Sequence, residues 1–406
     1  RQVGRSGEFG RLQPIDSLLK RDWLCTCSDV LARIGEINHL RLDTFSAEVV
    51  SHRLADEISP PVFLTDDQFR DPAGGQKRSA DVDAAGRSAR GGSGAVSLAR
   101  AQTERPRFIG SEIYRISRYG STHPLGIPRV SAVMDLCRAL GWLDDENFID
   151  SPCASPAQLT RFHDPDYVAA VMAAERDQRV DEAESLRWNI GRNGNPIFGE
   201  VFRRPATSCG ATILAAALLA QGGIVHAPAG GTHHGLRDRA SGFCFFNDPV
   251  LGILAMLDSG LSRVAYVDLD AHHGDGVELA FTAEPRVLAI SIHETGRWPY
   301  TGKVEDRAGG SARNLPVPAG FNDSELGFLV DEAVRPLLAR FAPEALVLQC
   351  GADALADDPM SGLALSNRGY WRAVEDLIGI APRLLVLGGG GYNPWSVARC
   401  WTGIWA

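Results

Sequence analysis

Five short apolar runs constrain the fold more than any other feature of this chain: residues 224–227, 264–269, 287–292, 345–349 and 384–387. They are rich in Val, Ile, Leu and Ala, too short for buried helices, and lack the strict alternation of a half-exposed strand. Such runs suit parallel strands covered on both faces. Longer mixed segments separate them, and two of these, 207–220 and 248–257, read as helices. The predicted fold is therefore α/β, with a mainly parallel central sheet flanked by helices. Polar residues gather where the runs end: Asp268 and Asp270, Ser291 and His293, Gln349 to Asp353, and Gly388 to Tyr392. Open α/β sheets bind ligands at the carboxyl ends of their strands, so these tails are expected to meet in one site.

The α/β texture begins near Phe108. Residues 71–100 are rich in Gly, Ala, Ser and charge, with almost no large apolar side chains, and read as a flexible linker. Residues 1–69 show no sustained hydrophobic period and no recognisable chemistry. The expected division is a poorly ordered extension over 1–105 and an enzyme domain over 106–406. A formal charge of −9 argues against a non-specific nucleic-acid binder, which would need a basic face. No apolar stretch approaches the roughly 18 residues of a membrane span. The eight cysteines are scattered without a C-x-x-C pair, as expected of free thiols in a reducing, cytoplasmic setting. The chain opens at Arg1 rather than Met, which points to a natural start farther upstream.

Six of the ten histidines fall between His226 and His293, four of them as the adjacent pairs His233-His234 and His272-His273. Clustered His and Asp on loops after strands are the raw material of a metal or acid–base site. In VDLDAHHGDG, Asp268, Asp270 and His272 are spaced by two, so an extended backbone would aim all three the same way. A helix cap at Asp270 or Asp275 would explain one carboxylate but neither histidine. In GGTHHG, two adjacent histidines among glycines are not expected to be buried together; an exposed polar loop is the plain alternative. Asp353 follows an apolar strand in QCGAD, where a buried carboxylate needs a partner or a metal, or else caps a helix. The four glycines of LGGGGYN allow a close turn that presents Tyr392 to a pocket; no phosphate-loop lysine follows them.

These motifs, GGTHHG, SGFCFFND, VDLDAHHGDGV, QCGADALADDPM and LGGGGYN followed by ARCW, closely resemble the histone deacetylase family, and within it the bacterial branch that includes acetoin utilization proteins. Weaker similarity runs back through His123 to Arg129 and Asn195 to Phe198, so about three quarters of the chain is covered. The resemblance implies an arginase/deacetylase-like fold and a metal-dependent hydrolase of acetyl-lysine amides. It implies Asp270, His272 and Asp353 as metal ligands, with zinc or Fe(II) as the ion. It implies His233 and His234 as the acid–base pair, with Asp268 and Asp275 tuning them. It also implies Tyr392 as the group that stabilises the oxyanion, and Gly242, Phe243, Trp298, Met360 and Gly390 as substrate contacts. Backbone carbonyls near Asp268, Asp270, His272, Ser291 and Ile292 would hold a structural potassium ion. Expected partners are an acetylated protein or peptide, or a small acetylated amine, with no direct nucleic-acid binding and no membrane.

Three departures qualify the resemblance. Gly194 stands where the family often has a rim aspartate that grips the substrate backbone. The stretch from Arg297 to Gly302 is shorter than the usual loop, leaving Trp298 or Tyr300 as the second tunnel aromatic. Ala406 comes soon after the tyrosine motif, where relatives continue, so a truncated C-terminus is expected. An acetylpolyamine hydrolase would show an extra rim carboxylate, whereas Met360 holds that position. A non-catalytic module of the same fold would require loss of the metal or of the missing end. The bridging carboxylates of a binuclear arginase-like site are not apparent.

Overall fold

The computed structural model describes residues 105–406; the extension and linker expected over 1–105 lie, except for Arg105, outside the described residues. Eight strands form a single sheet: β1 (Arg107–Gly110), β2 (Phe148–Asp150), β3 (Gly223–Ala227), β4 (Val264–Asp268), β5 (Val287–Glu294), β6 (Ala312–Val317), β7 (Ala345–Gln349) and β8 (Arg383–Leu387). Their order is β2-β1-β3-β8-β7-β4-β5-β6, and every pairing is parallel. The central strands β4 and β7 are buried along their whole length. Their alternate residues feed two cores. Ala265, Val267, Leu346 and Leu348 pack on one face, and Val264, Tyr266, Ala345 and Val347 pack on the other. Burial on both faces is why these runs show no polar alternation.

The helices divide between those faces. We label α1 (Val130–Ala139), α2 (Arg203–Leu218), α3 (Asp248–Asp258), α4 (Asp275–Ala280), α5 (Asn367–Leu377) and α6 (Pro394–Trp405). α1, α5 and α6 supply Val133, Tyr370, Val374, Val397 and Trp401 to one core, while α2 and α3 supply Ala211, Ala215, Val250 and Ile253 to the other. The fully buried Trp401 also donates its indole N–H to the Cys350 carbonyl at 2.7 Å, pinning α6 beneath the end of β7. No described helix is long and apolar enough to cross a membrane.

The five predicted strands and two predicted helices are present within a few residues. β1, β2 and β6 were not anticipated, being three to six residues long and, in the case of β2 and β6, at the sheet edges. One boundary matters for the site. β4 ends at Asp268 rather than Leu269, so Asp270 and His272 lie in the loop beyond it. They reach the site by the turn of that loop, not by strand alternation.

Candidate active site

The loops after β4 and β7 bring three ligand-type atoms together. His272 Nδ1 lies 2.9 Å from Asp353 Oδ2 and 3.2 Å from Asp270 Oδ1. All three side chains are buried, and their ligand atoms lie within 4.8 Å of one another. Ligands about 2 Å from a tetrahedral ion stand roughly 3.3 Å apart, so the donor set fits a divalent cation. The charges agree. Burial alone would lower the His272 pKa, yet its hydrogen bonds to Asp270 and Asp353, and their charges, push it up to about 10. Two buried carboxylates around one imidazole concentrate negative charge at a point where a divalent ion would be held.

Neighbouring backbone fixes the carboxylates. Asp270 Oδ2 accepts from the Gln349 side chain at 2.9 Å and from the Gly390 N–H at 2.7 Å. Asp353 Oδ1 accepts from the Ala271 N–H at 3.0 Å, so Asp353 is not a helix cap. At Gly390 a Cβ would lie 2.0 Å from Asp353 Oδ2, so the glycine-rich turn is as close to the ligands as a backbone can come.

Beside this cluster stand two imidazole–carboxylate pairs. His233 Nδ1 is 2.7 Å from Asp268 Oδ2, and His234 Nδ1 is 2.7 Å from Asp275 Oδ1. Contrary to the expectation from sequence, both histidines are buried, at 3% and 5% exposure. Each ring has a carboxylate partner, which removes the cost of burying it unpaired. Asp275 opens α4 without capping it. Burial would lower His233, but Asp268 and Asp270 outweigh it and raise the ring to about 9. Burial and the charge on His233 together pull His234 down to about 4, despite Asp275. The two adjacent rings are thus pushed in opposite directions.

The start of α3 positions the histidine loop. Asp248 accepts from the N–H groups of Gly231 and Thr232 at 3.1 and 2.8 Å, and from the Thr212 hydroxyl at 2.7 Å. Asn247 donates to the carbonyls of His233 and Gly235 while capping α3 through its side-chain oxygen. Both residues lie in SGFCFFND, but their pairing with a loop some 15 residues upstream is invisible in sequence.

A cavity in front of the Asp270–His272–Asp353 cluster is lined by His233, His234, Gly242, Phe243, Asp270, Gly390 and Tyr392. The Phe243 and Tyr392 rings lie 6.1 Å apart. Trp298 meets the His234 ring edge-on at 4.7 Å and covers the Gly242 backbone. Tyr300 is 71% exposed against 39% for Trp298, whose ring is the one that meets His234. Met360 sits half-buried on a neighbouring loop, where its carbonyl accepts from Arg297 at 2.7 Å. Gly194 has φ +79°, and a Cβ there would lie 2.4 Å from the Phe243 ring. An aspartate at that position is therefore incompatible with this arrangement of Phe243.

Two cationic residues were missed. Arg129 and Arg204, both half-buried, line the same cavity. Arg129 donates to the Gly389 and Gly391 carbonyls and stacks on Trp401, and Arg204 donates to the Ser117 carbonyl over the rings of Tyr114 and Tyr119. Arg129 closes the quoted stretch His123 to Arg129, but nothing in that stretch discloses its partners.

Residues 123–406 match the model of the histone deacetylase domain. The chain is 36% identical over 283 residues to histone deacetylase 8 of Xenopus tropicalis, covering 68% of this chain and 76% of that one. It is 33% identical over 317 residues to the acetoin utilization protein AcuC of Bacillus subtilis (strain 168), covering 73% and 80%. Crystal structures of an HDAC homologue from Aquifex aeolicus and of an HDAC homologue complexed with SAHA each superpose with a TM-score of 0.72 at 36% identity, covering 74% of this chain and 83% of theirs. On the domain match, the relatives and the shared fold, this chain belongs to the histone deacetylase family of hydrolases.

Proposed function

We propose that this protein is a zinc-dependent lysine deacetylase, hydrolysing the acetyl amide of N-acetyl-lysine side chains in proteins or peptides and releasing acetate. The observation that carries this reading is the buried Asp270–His272–Asp353 triad set beside two histidine–aspartate pairs. When bound, zinc in that triad would polarise the acyl carbonyl and acidify the attacking water; Fe(II) suits the same donors. The family resemblance adds potassium on the backbone carbonyls around Asp268, His272 and Ser291.

The chain's own groups then divide the work. Neutral His234 takes the proton from water and returns it to the departing lysine nitrogen as the C–N bond breaks. His233, drawn toward its protonated form by its hydrogen bond to Asp268, supplies positive charge beside the developing oxyanion. Tyr392 donates its hydroxyl to the same oxygen. Burial and the charges of Asp353 and Asp270 raise its phenol well above the usual value, so it keeps its proton. Gly242, Phe243 and Trp298 enclose the lysine chain. The acetate product is anionic, and Arg129 and Arg204 offer it positive charge within the cavity.

Met360 in place of a rim carboxylate favours an acyl-lysine over an acetylated polyamine, whose second amine would need an acid. The test compares an acetyl-lysine peptide with an acetylated polyamine on the zinc-loaded protein. Acetate release from the peptide by the parent, and none by Asp353→Ala, is expected. Preferential release from the polyamine would overturn the substrate assignment, and no release from either would overturn the enzymatic one.

A further inference from the structure

Two loops at the site are fastened together by an ion pair that the chemistry above does not use. Glu294 ends β5 and is only 8% exposed. Its carboxylate accepts twice from Arg297, at 2.5 Å from Nε and 2.9 Å from Nη2, and once from the Gly362 N–H at 2.7 Å. The remaining arm of the same guanidinium, Nη1, donates to the Met360 carbonyl at 2.7 Å. A planar fork with fixed donor directions thus holds a carboxylate on one loop and a carbonyl on another.

Each end of this link leads to a residue at the cavity. Arg297 immediately precedes Trp298, whose ring packs on His234. Met360 and Gly362 belong to the segment that leaves Asp353. In that segment Asp358 accepts from the Met360 N–H at 2.9 Å and from the Tyr392 N–H at 2.6 Å. A continuous path therefore runs from the Trp298 turn through Arg297, Met360 and Asp358 to the Tyr392 turn.

We propose that Glu294 and Arg297 are positioning residues that set the spacing between the Trp298 wall and the Met360–Tyr392 side, and so fix the width of the passage for the substrate's alkyl chain. The proposal rests on reading this cavity as an acyl-lysine site. Lysine at 297 would keep the charge beside Glu294, but its compact ammonium cannot reproduce the fork that spans both loops. Glutamine at that position removes the fork and the charge together, leaving Glu294 held by the Gly362 N–H.

The test uses zinc-loaded parent, Arg297→Lys and Arg297→Gln, with zinc content and melting temperature measured on each. For both variants KM for an acetyl-lysine peptide should rise about tenfold while kcat stays within about threefold. Affinity for a hydroxamate on a long alkyl linker should fall by the same factor. Acetohydroxamate, too short to fill the passage, should bind as it does to the parent. A lowered melting temperature with KM and both hydroxamate affinities unchanged would reduce the pair to a structural staple and overturn the proposal. Equal loss of both hydroxamates, or loss of zinc, would overturn it too, by locating the damage at the metal. A parent that binds neither hydroxamate would instead refute the deacetylase reading on which the proposal stands.

Discussion

Tyr392 and Gly390 sit two residues apart on one turn and carry separable duties. Tyr392→Phe removes only a hydroxyl, and loss of one oxyanion donor typically costs about 10²–10³ in turnover. We expect that loss in kcat with zinc content unchanged; a variant as fast as the parent would show that the phenol takes no part. Gly390→Ala acts on the other side of the turn. Its Cβ would fall 2.0 Å from Asp353 Oδ2 and 2.9 Å from Asp270 Oδ2, so it must push a ligand aside. The expected result is zinc loss on dialysis, measured by elemental analysis, from a protein that still folds. The motifs announced both residues, because Tyr and Gly carry their chemistry in their type. They announced Trp298 less well. Only the loop's path distinguishes it from Tyr300, and that path depends on backbone turns rather than on side-chain identity.

At the level of elements, the sequence disclosed strands in proportion to their burial. β4 and β7 are apolar up to their last residues, Asp268 and Gln349, because helices cover both their faces, so composition alone marks them. The β6 segment ARNLPV and the three-residue β2 lie at the edges, are only partly covered and leave no such signature. Links between elements were the least legible. Asp248 to the histidine loop, Gln349 to Asp270 and Arg297 to Met360 all join residues far apart along the chain, and spacing carries no trace of them. Trp401 is a case where the element depends on such a link. It is fully buried, joins α6 to the end of β7 by its indole N–H, and supports the guanidinium of Arg129. Trp401→Ala should destabilise the fold by about 3–5 kcal/mol, read from urea denaturation. A loss under about 1 kcal/mol, the size of an ordinary surface change, would mean that α6 is held by other contacts.

Across the whole molecule, charge bears on encounter rather than on chemistry. The chain carries a formal −9, and a lysine-rich acetylated peptide carries the opposite sign. Association steered by such fields weakens as salt screens them, with a Debye length of about 10 Å at 0.1 M. We therefore expect kcat/KM for a cationic peptide to fall between low and moderate ionic strength, while that for a neutral peptide of equal length changes little. Equal salt responses would assign recognition to the cavity alone. The all-parallel sheet has a further consequence. Because every strand runs the same way, the chemistry occupies one rim and the amino ends of the strands lie at the other. The turn between α3 and β4, with exposed Ser259 and Gly260, is on that opposite rim. A fluorophore or surface tether attached there would give a handle for immobilising or tracking the enzyme while leaving its working edge uncovered.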